Sequence, residues 1–341
     1  MTQWTDSITD VPGIKVGHAQ NEKALTGCTV VLVESGAAGG VDQRGGAPGT
    51  RETDAMRPMH VVDKIHAIVL SGGSAFGLDA AGGVMRYLSE KGIGFDTGVA
   101  KVPIVGGAVI FDLAIGDPSV HPDAEMGYQA CLSASAGEVP QGNIGVGMGA
   151  TVGKMLGMTQ SMKSGVGSAS EDLGGGLIVG AIVAVNAFGD VVDPGTSRII
   201  AGTRTLHKGP IAIGKGEIFA DTLNLMKTMT GKTIMSVAGG SNTVIGVIAT
   251  NARLNREQTN KVAQMAQDGL ARSIRPAHTM MDGDTIFALA TGKKPADVNI
   301  IGAYAAEVFA RAIEKAVRFA SPVNDIPSIS SLQDRNSAAR D

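Results

Sequence analysis

Short apolar runs, each bounded by glycine-rich or polar connections, alternate with longer stretches of helical period. Residues 14–18 and 28–33 read as strands separated by a polar turn, and Ser35-Gly36-Ala37-Ala38-Gly39-Gly40 turns the chain again. A charged, glycine-rich connection over 42–52 leads to an apolar run of strand length at 65–70. The turn Ser71-Gly72-Gly73-Ser74-Ala75-Phe76-Gly77 then opens a helix over 78–91. Residues 102–113 predict a strand pair interrupted by Pro103 and Gly106-Gly107. Residues 122–136 predict a helix with Met126, Ala130 and Leu132 inward. A strongly apolar strand follows at 177–185. From 200 to 236 the pattern weakens, with charges scattered among Gly209, Pro210, Gly214 and Gly216, and reads as a partly mobile surface segment.

The last third is clearer. A small-residue loop, Gly239-Gly240-Ser241-Asn242, runs into a β-branched apolar strand that starts at Thr243. Val262, Met265, Ala266, Gly269, Leu270 and Ile274 keep a 3.6-residue period over 254–274, and Pro276 stops that helix. A turn and strand at 282–290 precede a second long helix over 298–319, with Ile301, Ala305, Val308, Phe309, Ala312 and Ala316 inward. Residues 321–341 are polar and expected to form a loose tail. Strands interleaved with helices predict an α/β fold in one domain, 1–341, and a four-layer sandwich would consume this many short elements.

Composition sharpens this picture at one point. The 341 residues include 48 glycines, about twice the usual ~7% share, and only 4% aromatics, which implies tight turns and close-packed layers. A net charge of −3 without any Lys/Arg-rich run leaves no footprint for nucleic acid. Cys28 and Cys131 sit in apolar surroundings and read as buried free thiols. The first residues have neither the basic region nor the apolar core of a signal peptide, and the apolar run at 174–185 is too short to span a membrane. The expectation is a cytoplasmic, soluble protein.

Familiar motifs fail on inspection. Phe76 occupies the second glycine position of a serine-hydrolase elbow around Ser74, and Ser74 itself breaks a dinucleotide fingerprint. The run ending Gly153-Lys154 resembles a phosphate loop, but Met148 replaces its first glycine and Met155 its magnesium-binding hydroxyl. His278, Asp282 and Asp284 lie close in sequence, yet no second histidine has ligand spacing, so no metal and no cofactor is expected. Thr243 is different. A threonine where a flexible loop becomes a buried strand can attack the preceding carbonyl and emerge as a new N-terminus carrying its own base. A free α-amine titrates near pH 7.7–8.0, which suits that work. Taken alone, the stretch reads first as an ordinary strand start.

Several segments then resemble one family in one order: Asp10-Val11-Pro12-Gly13, Arg44-Gly45-Gly46-Ala47-Pro48-Gly49, Leu70 to Leu78, Val109-Ile110-Phe111-Asp112 and Asp282-Gly283-Asp284. They resemble the DmpA family of L-aminopeptidase/D-esterases, β-peptidyl aminopeptidases and endo-type 6-aminohexanoate-oligomer hydrolases. The likeness runs from about residue 8 to 320. It implies an N-terminal-nucleophile-like αββα sandwich made as a precursor that cuts itself. The junction would be Asn242-Thr243, giving an α chain of 1–242 and a β chain of 243–341 that stay associated, in a homotetramer or larger. Asn242-Thr243, Asp282 and Asp284 are similar to the nylon-oligomer branch.

By the same resemblance Lys154 and Asn186 are active-site residues, the lysine lowering the hydroxyl's pKa or steadying negative charge, the asparagine donating to an oxyanion. Ser74 and Phe111 would contact substrate, with Phe111 standing where that branch carries tyrosine. Asp282 and Asp284, two residues apart, lie on one face of an extended backbone, where two close carboxylates share a proton and orient the threonine amine. The implied substrate is an amide in a linear peptide or peptide-like oligomer. An acyltransferase of the ornithine acetyltransferase type and an unprocessed, non-catalytic homologue share the layout as other readings.

Overall fold

One 18-residue strand carries the chain from one sheet into the next. The computed structural model describes residues 4–208, 211–214, 218–237 and 242–332. Its main elements are β1 (Lys15–Asn21), β2 (Thr26–Gln43), β3 (Ile65–Ser71), α1 (Ala80–Glu90), β4 (Val105–Val109) and α2 (Ala124–Leu132). They continue as β5 (Val166–Asp172), β6 (Ile178–Asn186), β7 (Thr243–Ala252), α3 (Arg256–Ser273), β8 (Thr285–Lys294) and α4 (Val298–Arg318). The first half of β2 pairs antiparallel with β1 and β3, and β3 pairs parallel with β4. The last residues of β2 pair antiparallel with β8, which continues parallel to β7 and then through β6 to β5.

The expected turn at 35–40 is therefore an extended crossing. Pairing shifts between Leu32 and Ala37, where Gly36 takes φ +73°, and the strand then runs on to Gln43. The small residues serve close approach. A Cβ on Gly39 would lie 2.2 Å from Ile65 Cγ1, and one on Gly40 would lie 2.5 Å from the Asn260 nitrogen.

Strand alternation sorts the core into layers. Val30 and Leu32 face Ala80, Val84 and Leu88 of α1 and Ala130 of α2. Val31, Ile68 and Leu70 face the other way, against Ile182, Ile245, Val247, Phe287 and Leu289 of the second sheet. The far face of that sheet, including Val183, Ile248 and Ile286, packs on Val262 and Leu270 of α3 and Val308 and Phe309 of α4. The order is helix, sheet, sheet, helix, as expected. All six inward residues foreseen for α4 are buried. An Asn255–Gln258 capping box starts α3. Among the described residues, no helix is long and apolar enough to cross a membrane.

Other expectations change as well. Leu132 is 57% exposed, because the inward side of α2 is made by Gly127, Ala130 and Cys131. In the stretch 102–113 the central strand is confined to Val105–Val109, with Pro103 and Ile104 separating it from the two-residue Lys101–Val102. The stretch 200–236 carries a short strand at Ile199–Ala201, a Leu206–Lys208/Ile211–Ile213 pair and helices at Thr222–Met226 and Met229–Val237. Buried Asp190 anchors it by accepting from the Thr203 N–H at 2.8 Å and the Thr222 N–H at 2.7 Å. The tail is also shorter than expected. Ser328 and Ile329 are buried, and the Lys163 N–H donates to the Pro327 carbonyl at 2.8 Å. The rest of the expected loose tail, 333–341, lies outside the described residues, as does the loop 238–241.

Candidate active site

Thr243 is the first residue of β7 and is buried between β6 and β8. Its ladder partner on β6 is Asn186, so the two stand directly opposite one another, where Cα atoms lie about 4.5–5.5 Å apart. Asn242, one residue earlier, bridges to Asp282 in parallel fashion. The Thr243 hydroxyl donates to the Asn242 carbonyl oxygen, and the Gly283 N–H donates to the same oxygen at 2.9 Å. The Thr243 hydroxyl and the preceding carbonyl are thus in contact, with a backbone donor already on the carbonyl oxygen. Only glycine fits at 283, since a Cβ there would lie 2.8 Å from Thr243 Oγ1 and 2.8 Å from the Ala47 carbonyl oxygen.

The two aspartates frame this contact from the turn before β8, and both are buried. Asp284 Oδ1 accepts from the Val244 N–H at 2.8 Å, and its Oδ2 accepts from the His278 N–H and ring Nδ1–H, each at 2.9 Å. Asp282 Oδ2 accepts from the N–H and hydroxyl of Thr279. Burial, and then the neighbouring Asp284 charge, push the Asp282 carboxyl up to about 6. His278, weighed above as a ligand, is instead a partner of Asp284. His278, Thr279 and the Gly283 N–H were not foreseen. The signal available for the last was a glycine between two acids.

Lys154 follows Gly153, which takes φ +70° where a Cβ would strike the Gly202 carbonyl carbon at 2.0 Å. This turn sends the lysine inward. Its Nζ donates to Asn186 Oδ1 at 2.7 Å and to the Asn186 carbonyl at 3.0 Å. Desolvation lowers the Lys154 ammonium to about 7, against the opposing pull of Asp282 and Asp112. The oxyanion role expected of Asn186 is not what its geometry provides. Its Nδ2 donates to the Phe111 carbonyl at 2.9 Å, and its Oδ1 accepts from Lys154 and from the Thr151 N–H at 3.1 Å. Asn186 holds Lys154 in place, and the donor on the Asn242 carbonyl is the Gly283 N–H.

Phe111 and Ser74 both line a cavity of about 130 Å³ that opens onto Asn242 and Thr243, with Ala47, Pro48, Val109 and Met281 among its other walls. The Gly73–Ser74 turn, with φ +76° and +53°, is fixed by the Ser74 N–H donating to the Ile110 carbonyl and the Gly73 N–H donating to Asp112. All the residues singled out from the sequence therefore converge. Two buried groups beside them were missed: Asp112, and Lys163, whose Nζ donates to the carbonyls of Gly147, Ala150 and Ser164.

Residues 6–328 match the family described as Peptidase family S58. The chain is 43% identical over 352 residues to an uncharacterized aminopeptidase of Mycobacterium tuberculosis (strain ATCC 25618 / H37Rv), covering 95% of this chain and 96% of that protein. It is 33% identical over 326 residues to the 6-aminohexanoate-oligomer endohydrolase of Kocuria sp. (strain KY2), covering 91% and 85%. The solved L-aminopeptidase D-Ala-esterase/amidase from Ochrobactrum anthropi, a variant of the Ntn hydrolase fold, superimposes with a TM-score of 0.69 at 18% identity, covering 100% and 95%. A β-aminopeptidase from Burkholderia sp. superimposes with a TM-score of 0.67 at 22% identity, covering 99% and 95%. These two share the fold.

Proposed function

The chain belongs to peptidase family S58 and hydrolyses amide bonds, and on that premise we propose that its nucleophile is Thr243, released when the chain cuts itself after Asn242. The observation that carries the reading is the hydroxyl of Thr243 in contact with a carbonyl that already accepts the Gly283 N–H.

In the precursor the Thr243 nitrogen is an amide and cannot act as a base. Lys154, held opposite the threonine through Asn186 and balanced near neutrality, takes the hydroxyl proton in its neutral form. Oγ1 bonds to the Asn242 carbonyl carbon, the Gly283 N–H steadies the oxyanion, and the C–N bond breaks as the proton passes to the Thr243 nitrogen. Water then hydrolyses the ester, leaving a carboxylate on Asn242 and a free amine on Thr243. In turnover that amine is the base and the same hydroxyl attacks a substrate amide. Asp282 and Asp284 orient this end of β7, Asp284 through the Val244 N–H.

The fragments 1–242 and 243–341 stay together because β7 remains hydrogen-bonded to β6, and β8 to β2. Assembly of the cut units into a homotetramer is part of the same reading. The substrate class is a linear peptide or peptide-like oligomer, with 6-aminohexanoate oligomers, β-peptides and N-terminal amino-acid amides as the series to assay. Thr243→Ala is the test. The expected result is a single full-length chain with no amide hydrolysis. A Thr243→Ala protein that still splits or still hydrolyses amides would overturn the assignment.

A further inference from the structure

Asp112 lies just beyond β4, is only 4% exposed, and takes no part in the steps assigned to Thr243. Its Oδ2 accepts from the Thr26 hydroxyl at 2.7 Å and its Oδ1 from the Gly73 N–H at 2.6 Å. The backbone is shaped around this carboxylate. A Cβ on Gly72 would lie 2.1 Å from Asp112 Oδ2, and one on Gly149 would lie 2.6 Å from the same oxygen. Enclosing a carboxylate this tightly is costly unless a counter-charge offsets the lost water.

The same segments also hold the base. Phe111, the preceding residue, accepts from Asn186 Nδ2 through its carbonyl at 2.9 Å. Two residues beyond Gly149, the Thr151 N–H donates to Asn186 Oδ1 at 3.1 Å. That oxygen in turn accepts from Lys154 Nζ at 2.7 Å, and Asp112 and Lys154 line one cavity of about 140 Å³. Carboxylate and amine are thus set by one frame.

Two carboxylates bear on Lys154, and they differ. Asp282, in the turn before β8, has Asp284 beside it and is pushed up to about 6, so it gains a proton close to neutrality. Asp112 is raised by burial, while the Gly73 N–H, the Thr26 hydroxyl and Lys154 pull it back. Lys163, in the two-residue strand Met162–Lys163, is drawn by Asp112 as well. Near pH 7 Lys154 exchanges between neutral amine and ammonium, and a fixed negative charge decides how readily it releases the proton.

Resting on the reading of Lys154 as the base of self-cleavage, we propose that Asp112 is a positioning residue for it, the fixed counter-charge that sets the pH at which the chain cuts itself.

Asp112→Asn tests this, because the amide keeps an acceptor for the Gly73 N–H and removes the charge. Self-cleavage of the uncut chain from cell-free synthesis is timed between about pH 5 and 9 on denaturing gels, with circular dichroism of the purified variant to verify the fold. The wild-type midpoint is expected near the Lys154 value of about 7. That of Asp112→Asn is expected about one pH unit lower, the smaller end of the effect of an adjacent opposite charge. At about pH 6 the variant then runs at about half of its own plateau, against about a tenth for wild type. A carboxylate that only braces the Gly73–Ser74 turn would lower the rate at every pH, and a midpoint left in place or moved upward would overturn the proposal. Asp112→Ser is the second uncharged variant, expected to shift the midpoint in the same direction. If neither variant folds, the carboxylate is a requirement of the fold and the proposal falls. In a Lys154→Met chain, adding Asp112→Asn is expected to change the residual rate less than about twofold, since the group it acts through is gone. A larger loss there would also overturn it. A wild-type profile with no rise through about pH 7 would remove Lys154 as base and Asp112 with it. A wild-type rise with an unmoved variant would remove Asp112 alone and leave Lys154 standing.

Discussion

Gly283→Ala separates a nucleophile held against a backbone turn from a threonine that merely begins a strand. The added Cβ would sit 2.8 Å from Thr243 Oγ1 and 2.8 Å from the Ala47 carbonyl oxygen, inside any real carbon–oxygen contact. Ala47 is tied by its N–H to the Asp282 carbonyl at 2.8 Å, so the lining loop has little room to retreat. The threonine must then turn about a stiff β-branched χ1 and lose its contact with the Asn242 carbonyl. Misplacing a reacting atom by about 1 Å costs on the order of a hundredfold, or about 2.7 kcal/mol of barrier. Overpacking adds about 1–3 kcal/mol of destabilisation, small enough to leave a folded chain. The assay is the time course of self-cleavage after refolding, followed on denaturing gels, with circular dichroism to verify the fold. Expected is cleavage slowed by ~10–100-fold. Cleavage at the wild-type rate would refute the reasoning, because a nucleophile in contact with Gly283 cannot ignore that methyl group.

Further expectations concern pH and packing. Lys154 must be neutral to accept the hydroxyl proton and is lowered to about 7, so self-cleavage should accelerate with pH through about 7 and then level, whereas a fall above 7 would mean that the cation is the working form. Lys154→Met should slow self-cleavage by about 10²–10⁴-fold, and a smaller effect in the same time course would remove it as base. Lys163 is likewise lowered to about 7 by burial, against an unfolded value near 10.4. The unfolded chain then holds more protons than the fold between those values, so stability rises with pH across that window. Lys163→Met should flatten that rise in urea midpoints taken on Thr243→Ala protein, and an unchanged slope would count against a buried, proton-poor Lys163. Phe309→Ala, at a fully buried site between β7 and α4, should cost about 3–5 kcal/mol in the same denaturation, and less than 1 would contradict the packing.

Much of the fold could be read along the chain because its periodicities are uninterrupted. The inward faces of α3 and α4 and the apolar runs of β3, β6 and β7 declare themselves within single windows. What misled was glycine used for contact. Gly39 and Gly40 look like a turn locally, and only their opposition to Ile65 and Asn260 shows why the strand must continue. The stretch 200–236 failed for a related reason, since its anchor, Asp190, lies before it in sequence. Within the site, side chains brought together by the family likeness were found together, but their division of labour was not legible. Asn186 as an oxyanion donor was a reasonable inference from residue type. The ladder instead gives that position to a backbone N–H, whose one trace in the sequence is a glycine between two acids. Asp112 and Lys163 escaped because a buried charge is recognisable only once its surroundings are known.

The most direct test combines the intact mass of the wild-type protein under denaturing conditions with N-terminal sequencing of the smaller fragment. Two pieces are expected, covering 1–242 and 243–341, the second beginning Thr-Val-Ile-Gly. An unbroken chain that nevertheless hydrolyses amides, or a fragment beginning at any other residue, would contradict a threonine freed by its own attack.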